Sequence, residues 1–190
     1  MIPKIYECLD IDSFRPIMNL AKITREQTVA SDAHILVVHK TRELFNDQFA
    51  DSLPEDGILV GREALKDLSI SHAEAVYFMP EVKMLKVKHS YQGREWYRYY
   101  EIYLVSEKTD PGWNYPEWEK VWPSPKDKIK KQEINFNPRI LNNLAKGMGC
   151  TGLSIQFYSK NGSDGTPMTV EPLAGDYKEV KGLIMPMMKI

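Results

Sequence analysis

From residue 108 to residue 131 the chain reads KTDPGWNYPEWEKVWPSPKDKIKK, setting Pro111, Pro116, Pro123 and Pro125 among Trp113, Trp118 and Trp122. Proline fixes φ and lacks a backbone donor, so neither a helix nor a sheet interior runs through such a stretch. Large indole rings argue against a flexible linker, because they are normally held against other groups. The segment therefore reads as an ordered crossover that pins itself down with aromatics. It also marks the boundary between structural units in a chain of 190 residues, a length that suits one domain or two small ones.

On the N-terminal side, β-branched residues and turn signals alternate. The first twelve residues fit a short helical turn or a strand. Arg15-Pro16 disfavours a helix through that point, leaving a helix from Pro16 or a strand over Ile17–Ile23. In QTVASDAHILVVHK, a bend at Ser31-Asp32-Ala33 separates two strand segments. RELFNDQFADSLPEDG reads as polar and loop-like, with room for one helical turn. Ile58–Val60 is a short strand leading into a helix over Arg62–Leu68, with Ala64, Leu65 and Leu68 on its apolar side. YQGR carries a turn glycine, so two antiparallel strands meet there. Along the second of them Tyr97, Tyr99, Glu101 and Tyr103 share one face, against Trp96, Arg98, Tyr100, Ile102 and Leu104. Both faces carry large side chains, which reads as core packing, with base stacking as the alternative.

Beyond the crossover, EINFNPRILNNLAKGMGC is the strongest helix signal. Asn137 can cap, Pro138 suits the first helical position, and Ile140, Leu141, Leu144, Ala145 and Met148 form the apolar stripe. Gly147 and Gly149 supply the stop. GLSIQFYSK is an alternating strand, NGSDG a turn, TPMTVEPL a further strand and KGLIMPMMKI the last. Short helices among several short antiparallel strands define an α+β chain with its helices laid on one face of the sheet.

Composition narrows the function. With 25 basic and 26 acidic residues the net charge is -1, which gives no support to wholesale nucleic-acid binding. Cys8 and Cys150 lie far apart and make neither a disulfide framework nor a metal motif, and His39, His72 and His89 show no ligand spacing. No glycine-rich phosphate loop and no placed serine or cysteine nucleophile accompany the carboxylates. No cofactor, metal or catalytic residue is expected. With no apolar leader and no stretch approaching the roughly 20 apolar residues of a membrane span, a cytoplasmic protein with no membrane partner is expected. LIMPMMKI is either a closing strand with a proline bulge or one wall of a pocket. His34 is either a structural hydrogen-bonding residue or a rim residue.

Three separated pieces resemble the bacterial DNA polymerase sliding clamp, the beta subunit of the replicative polymerase. RPIMNLAKITREQTVASDAHILVV is similar to the part of the clamp's middle domain that carries a Thr-Asp-Gly-His-Arg-Leu-Ala run. NYPEWEKVWP is similar to its crossover between the middle and last domains, with Pro116 and Pro123 in matching places. EINFNPRILNNLAKGMG, LSIQFYSKNGSDGTPMTVEP and KGLIMPMM are similar to its closing helix-and-strands unit. The chain departs from the pattern where Ala33 stands for the glycine, Ile35 for the arginine and Met188 for the C-terminal arginine. It is also about half the length of a clamp subunit.

The resemblance implies a DNA-clamp-like fold, with a clamp-like domain over 1–110, the crossover over 111–131 and a half unit over 132–190. It implies a non-catalytic protein that binds linear peptide motifs of replication or repair proteins in a groove made by His34, Leu36, Pro123, Met185, Pro186 and Met187. Flexible, polarizable methionines suit varied apolar anchors. It further implies phosphate contacts to duplex DNA, without sequence reading, by Arg62, Lys66, Arg139 and Lys146 on two helices, and association into a homo-oligomer. The alternative is a structural or interaction module that keeps the clamp fold without a replication role.

Overall fold

In the computed structural model, residues 2–11, 16–107, 115, 117–129, 137–158, 166–175, 177 and 179–185 are described. Two 3-10 turns, Ile5–Cys8 and Pro16–Asn19, precede the first strands: β1 (Leu20–Ile23), β2 (Gln27–Ser31) and β3 (Ile35–Lys40). Helices α1 (Thr41–Leu44) and α2 (Asp47–Ser52) lead to β4 (Ile58–Gly61), α3 (Arg62–Leu68), β5 (Ala73–Met79), β6 (Met84–Tyr91) and β7 (Arg94–Leu104). After the crossover come β8 (Lys128–Ile129), α4 (Pro138–Met148), β9 (Cys150–Tyr158), β10 (Met168–Gly175) and β11 (Lys181–Ile184). A strand, a helix and three antiparallel strands thus occur twice in the same order, from β4 to β7 and from β8 to β11.

The strands form one 11-stranded sheet in the order β5-β6-β7-β4-β1-β2-β3-β11-β10-β9-β8, antiparallel at each pairing. Its two halves, from either side of the crossover, join where β11 pairs with β3, Leu183 opposite Leu36 and Ile184 opposite Ile35. Side chains alternate across a strand, so this register sorts the apolar residues onto two faces. Ile35 and Val37 of β3, Ile58 and Val60 of β4, Ile102 of β7 and Ile184 of β11 face the main core. There they meet Ile5, Cys8, Phe45, Phe49, Leu65, Leu144 and Met148 from the helices and the first 3-10 turn. Leu36 and Val38, Leu59, and Leu183 turn to the opposite face. The α+β expectation, with helices on one face of an antiparallel sheet, describes this architecture.

Local chemistry explains most boundaries. The Asn137 side chain accepts from the Arg139 N–H at 3.0 Å, and Pro138 opens α4 as expected. Gly149 takes the left-handed C-cap at φ 68°, whereas Gly147 lies inside the helix. Gln92 and Gly93 both have positive φ at the β6–β7 hairpin, as the YQGR turn requires. The stretch 41–56 departs from its polar-loop expectation. Phe45, Phe49 and Leu53 fall four apart and are buried, and the Asn46 side chain caps α2 by accepting from Phe49 N–H at 2.8 Å. Phe49 is buried from within α2, and Phe45 and Leu53 from the extended residues that end α1 and α2; their burial outweighs the polar residues around them. The NGSDG turn lies outside the described residues.

Candidate binding site

The second face of the sheet is covered at its centre by the crossover. Val29, Leu36, Val38 and Leu183 form a buried apolar floor, against which Tyr115, Trp118, Trp122 and Met185 pack. Trp118 and Trp122 meet edge to face, with ring centroids 5.7 Å apart at 80°. The Tyr115 hydroxyl donates to the Val29 carbonyl at 2.9 Å, and burial pushes its phenol well above the usual range, so it remains a neutral donor. The aromatic residues of the crossover therefore dock onto β2, β3 and β11 in the manner expected of a self-pinning segment. Trp113 and Pro116 lie outside the described residues.

The β2–β3 turn sets one end of this site. The Asp32 carboxylate accepts from the His34 and Ile35 N–H groups, both at 2.8 Å, while Ala33 takes φ 72°. The Asp32 side chain satisfies the turn's own donors, which offsets the cost of a left-handed alanine. His34 is thereby left exposed, and its carbonyl accepts from the Met185 N–H at 2.8 Å. That bond carries the end of β11 to the start of β3. Leu36 is only 5% exposed, Pro123 is buried and Met185 is half-buried. Four of the six expected groove residues thus lie on segments that meet here. Pro186 and Met187 lie outside the described residues. Tyr115, Trp118, Trp122 and Leu183 were not among the expected groove residues, because nothing local in the sequence ties the crossover to β11.

The four expected phosphate-contact residues lie on α3 and α4, on the helix side. Lys66 and Arg139 are exposed. Arg62 instead donates to the carbonyls of Tyr6 at 2.5 Å and Leu9 at 3.3 Å, and lies 3.7 Å from Glu7. Lys146 also lies 3.7 Å from Glu7. Arg62, Arg139 and His34 line one cavity of about 580 Å³, together with Glu7, Asp10 and Asp32. Its walls mix both signs of charge, so it presents no single field to a phosphate.

Two buried histidines were not placed by the sequence. His89 Nε2 lies 2.7 Å from the Asp67 carboxylate, whose other oxygen accepts from Arg98 at 2.7 Å. His89 stacks on Trp96 at 5.2 Å and 8°, so this bracket fastens α3 to β6 and β7. His39 Nε2 donates to the Gly147 carbonyl at 2.8 Å, tying β3 to α4; a carbonyl only accepts, so Nε2 carries the proton. Burial pushes His39 down to about 4 from its ordinary 6.5, with the Gly147 bond opposing. The unfolded chain therefore takes up a proton near pH 6.5 that the folded chain refuses until about pH 4. Stability from this group is complete above pH 6.5 and is lost on acidification towards pH 4, by up to about 1.4 kcal/mol per pH unit. Urea unfolding of the wild type and His39→Gln at pH 7.5, 6 and 5 should show a shallower decline in the variant. Parallel declines would refute the assignment.

Among the described residues no group of three or more His, Cys, Asp or Glu could hold a metal, and no helix is long and apolar enough to cross a membrane. The Cys8 thiol is fully buried and its pKa is raised, chiefly by that burial.

A continuous antiparallel sheet, helices confined to one face and a crossover strapped over the other define a DNA-clamp-like α+β fold. A solved structure carries the same fold: DNA polymerase III subunit beta from Borrelia burgdorferi, in complex with a natural product. It superposes with a TM-score of 0.59 at 12% sequence identity, over 97% of this chain and 61% of that chain. This chain therefore spans about three-fifths of that subunit's length, and at this identity the likeness is one of fold. No family model and no curated protein matches the sequence.

Proposed function

We propose that this protein is a non-catalytic, clamp-type binding protein that receives a short linear peptide beside Leu36, Trp118, Trp122 and Met185. The observation that carries this reading is the convergence of β3, the crossover and the end of β11 on one apolar cluster, with His34 exposed at its margin. Apolar peptide anchors suit a site of aromatic rings and a half-buried methionine, which repack at little cost. The fold shared with a DNA polymerase subunit adds weight to a replication or repair partner. Duplex DNA fits as a second, sequence-independent partner through Lys66 and Arg139, since Arg62 and Lys146 already have partners within the chain.

Titration with short peptides carrying leucine and phenylalanine anchors should shift the intrinsic fluorescence saturably, because Trp118 and Trp122 border the site. Met185→Ala should weaken binding by about tenfold, the size of a well-packed anchor contact. A second reading has its own support: Leu36 is 5% exposed and Pro123 is buried, as in a closed structural fastening. Under that reading no peptide titrates, and Met185→Ala changes only thermal stability.

A further inference from the structure

The proposed peptide site has a floor that almost no water reaches. Val29, Leu36, Val38 and Leu183 are each 5% exposed or less, and Tyr115, Trp118, Trp122 and Met185 pack over them. An apolar anchor is stabilised by leaving water for contact with such a floor. It makes that contact only by taking the place of a group that now covers it.

The four covering residues are not fastened alike. The Tyr115 hydroxyl is bound to the Val29 carbonyl. Met185 is bound through its backbone N–H to the His34 carbonyl, directly after β11 has paired with β3. Trp118 and Trp122 flank a 3-10 turn, Trp118–Val121, whose backbone bonds close on the segment itself: Lys120 N–H donates to the Glu117 carbonyl at 3.1 Å and Trp122 N–H to the Glu119 carbonyl at 3.3 Å. The Lys120–Glu117 ion pair is internal to the segment as well. The two half-buried indoles are held by packing against the floor and against each other. Apolar packing is non-directional, so another apolar group of similar size can replace it. Tyr115 and the buried Pro123 fix the ends of the segment, and Val121, 49% exposed, marks its turn as the outermost layer of the site.

We propose that this turn is a strap that occupies the peptide site in the free protein and is displaced by the incoming peptide. The inference rests on the peptide-binding reading above and adds to it a regulation and a partner chemistry. The displacing peptide carries two bulky apolar side chains close together, to replace two indoles whose ring centroids lie 5.7 Å apart. A peptide with a single anchor leaves the second indole in place. Strap and peptide contend for one floor, so the affinity observed is the intrinsic affinity reduced by the fraction of molecules whose strap is open.

Fluorescence anisotropy of a labelled peptide with leucine and phenylalanine anchors tests it on the full chain. Trp118→Ala/Trp122→Ala should bind that peptide about tenfold more tightly than the wild type, as when a state open in about a tenth of molecules becomes the rule. Binding that is weaker, as when the rings are walls of the site, or unchanged overturns the strap and leaves the peptide site standing. No binding by either protein removes the site and the strap together. Should the variant fail to fold, the wild type gives a second measurement. On saturation with unlabelled peptide its tryptophan emission should move to the red and acrylamide should quench it more, because the indoles leave the floor for water. Emission that stays or moves to the blue, with no gain in quenching, overturns the strap.

Discussion

Gly57→Ala should cost about 3 kcal/mol, lowering the melting temperature by about 10 °C for a chain of this size. Two effects add. Gly57 holds φ 85°, where a β-carbon meets its own backbone, at about 1–2 kcal/mol. That β-carbon would also lie 2.5 Å from the Ile23 carbonyl oxygen and 2.9 Å from the Thr24 methyl. The carbonyl belongs to β1 beside the Ile23–Ile58 pair, in the middle of the sheet order, so it cannot swing away as a side chain would. Overpacking of this kind costs about 1–3 kcal/mol. Urea or thermal unfolding measures the sum; a change within about 0.5 kcal/mol, the range of ordinary surface substitutions, would show that the loop before β4 relaxes freely.

Gly147→Ala should also destabilise, by about 2 kcal/mol, although alanine normally improves a helix interior by about 1 kcal/mol. Its β-carbon would stand 2.4 Å from Cys8 Sγ. That sulfur has little room to yield: Cys8 is fully buried in the 3-10 turn against α4, and its thiol donates to the Asn143 carbonyl. Gly147 also supplies the carbonyl that holds His39. The clash comes from one atom, so Cys8→Ala should rescue the variant: Cys8→Ala/Gly147→Ala should be more stable than Gly147→Ala alone. Additive losses in the double variant would mean that the glycine serves some other purpose. Gly182→Ala is the contrasting case. There the nearest atoms are the Met148 sulfur at 2.9 Å, its terminal methyl at 3.3 Å and the Val170 β-carbon at 3.3 Å; the sulfur and methyl are the far end of a flexible, though buried, side chain. Its cost should be the smaller of the two.

These glycines also show where sequence reasoning stops. Gly149 was legible as a helix stop because the left-handed cap is a local demand. Gly147, two residues earlier, reads as part of the same signal, yet its role is to admit Cys8, which lies near the other end of the chain. Phe45 and Phe49 were hidden in the same way. Their helical spacing is visible, but their neighbours are polar, and only burial against the sheet turns that stretch into two helices. The candidate site was partly legible, since Leu36, Pro123 and Met185 were each singled out. The resemblance supplied that grouping, whereas composition and spacing did not.

The sequence by itself determined the punctuation of this protein: the Asn137-Pro138 helix start, the Gly149 stop, the Gln92-Gly93 hairpin, the Asp32 turn and the crossover that no sheet interior could accept. Each is settled within a few residues by φ preference, capping or a missing donor. The tertiary structure alone decided which face each strand buries, that β11 closes onto β3, and that Trp118 and Trp122 cover that junction. It alone left Tyr97 and Tyr99 in solvent while Ile102 entered the core and Tyr100 packed against it. Those outcomes rest on pairings between distant residues, and a period of two along a strand cannot say which of its faces will be covered.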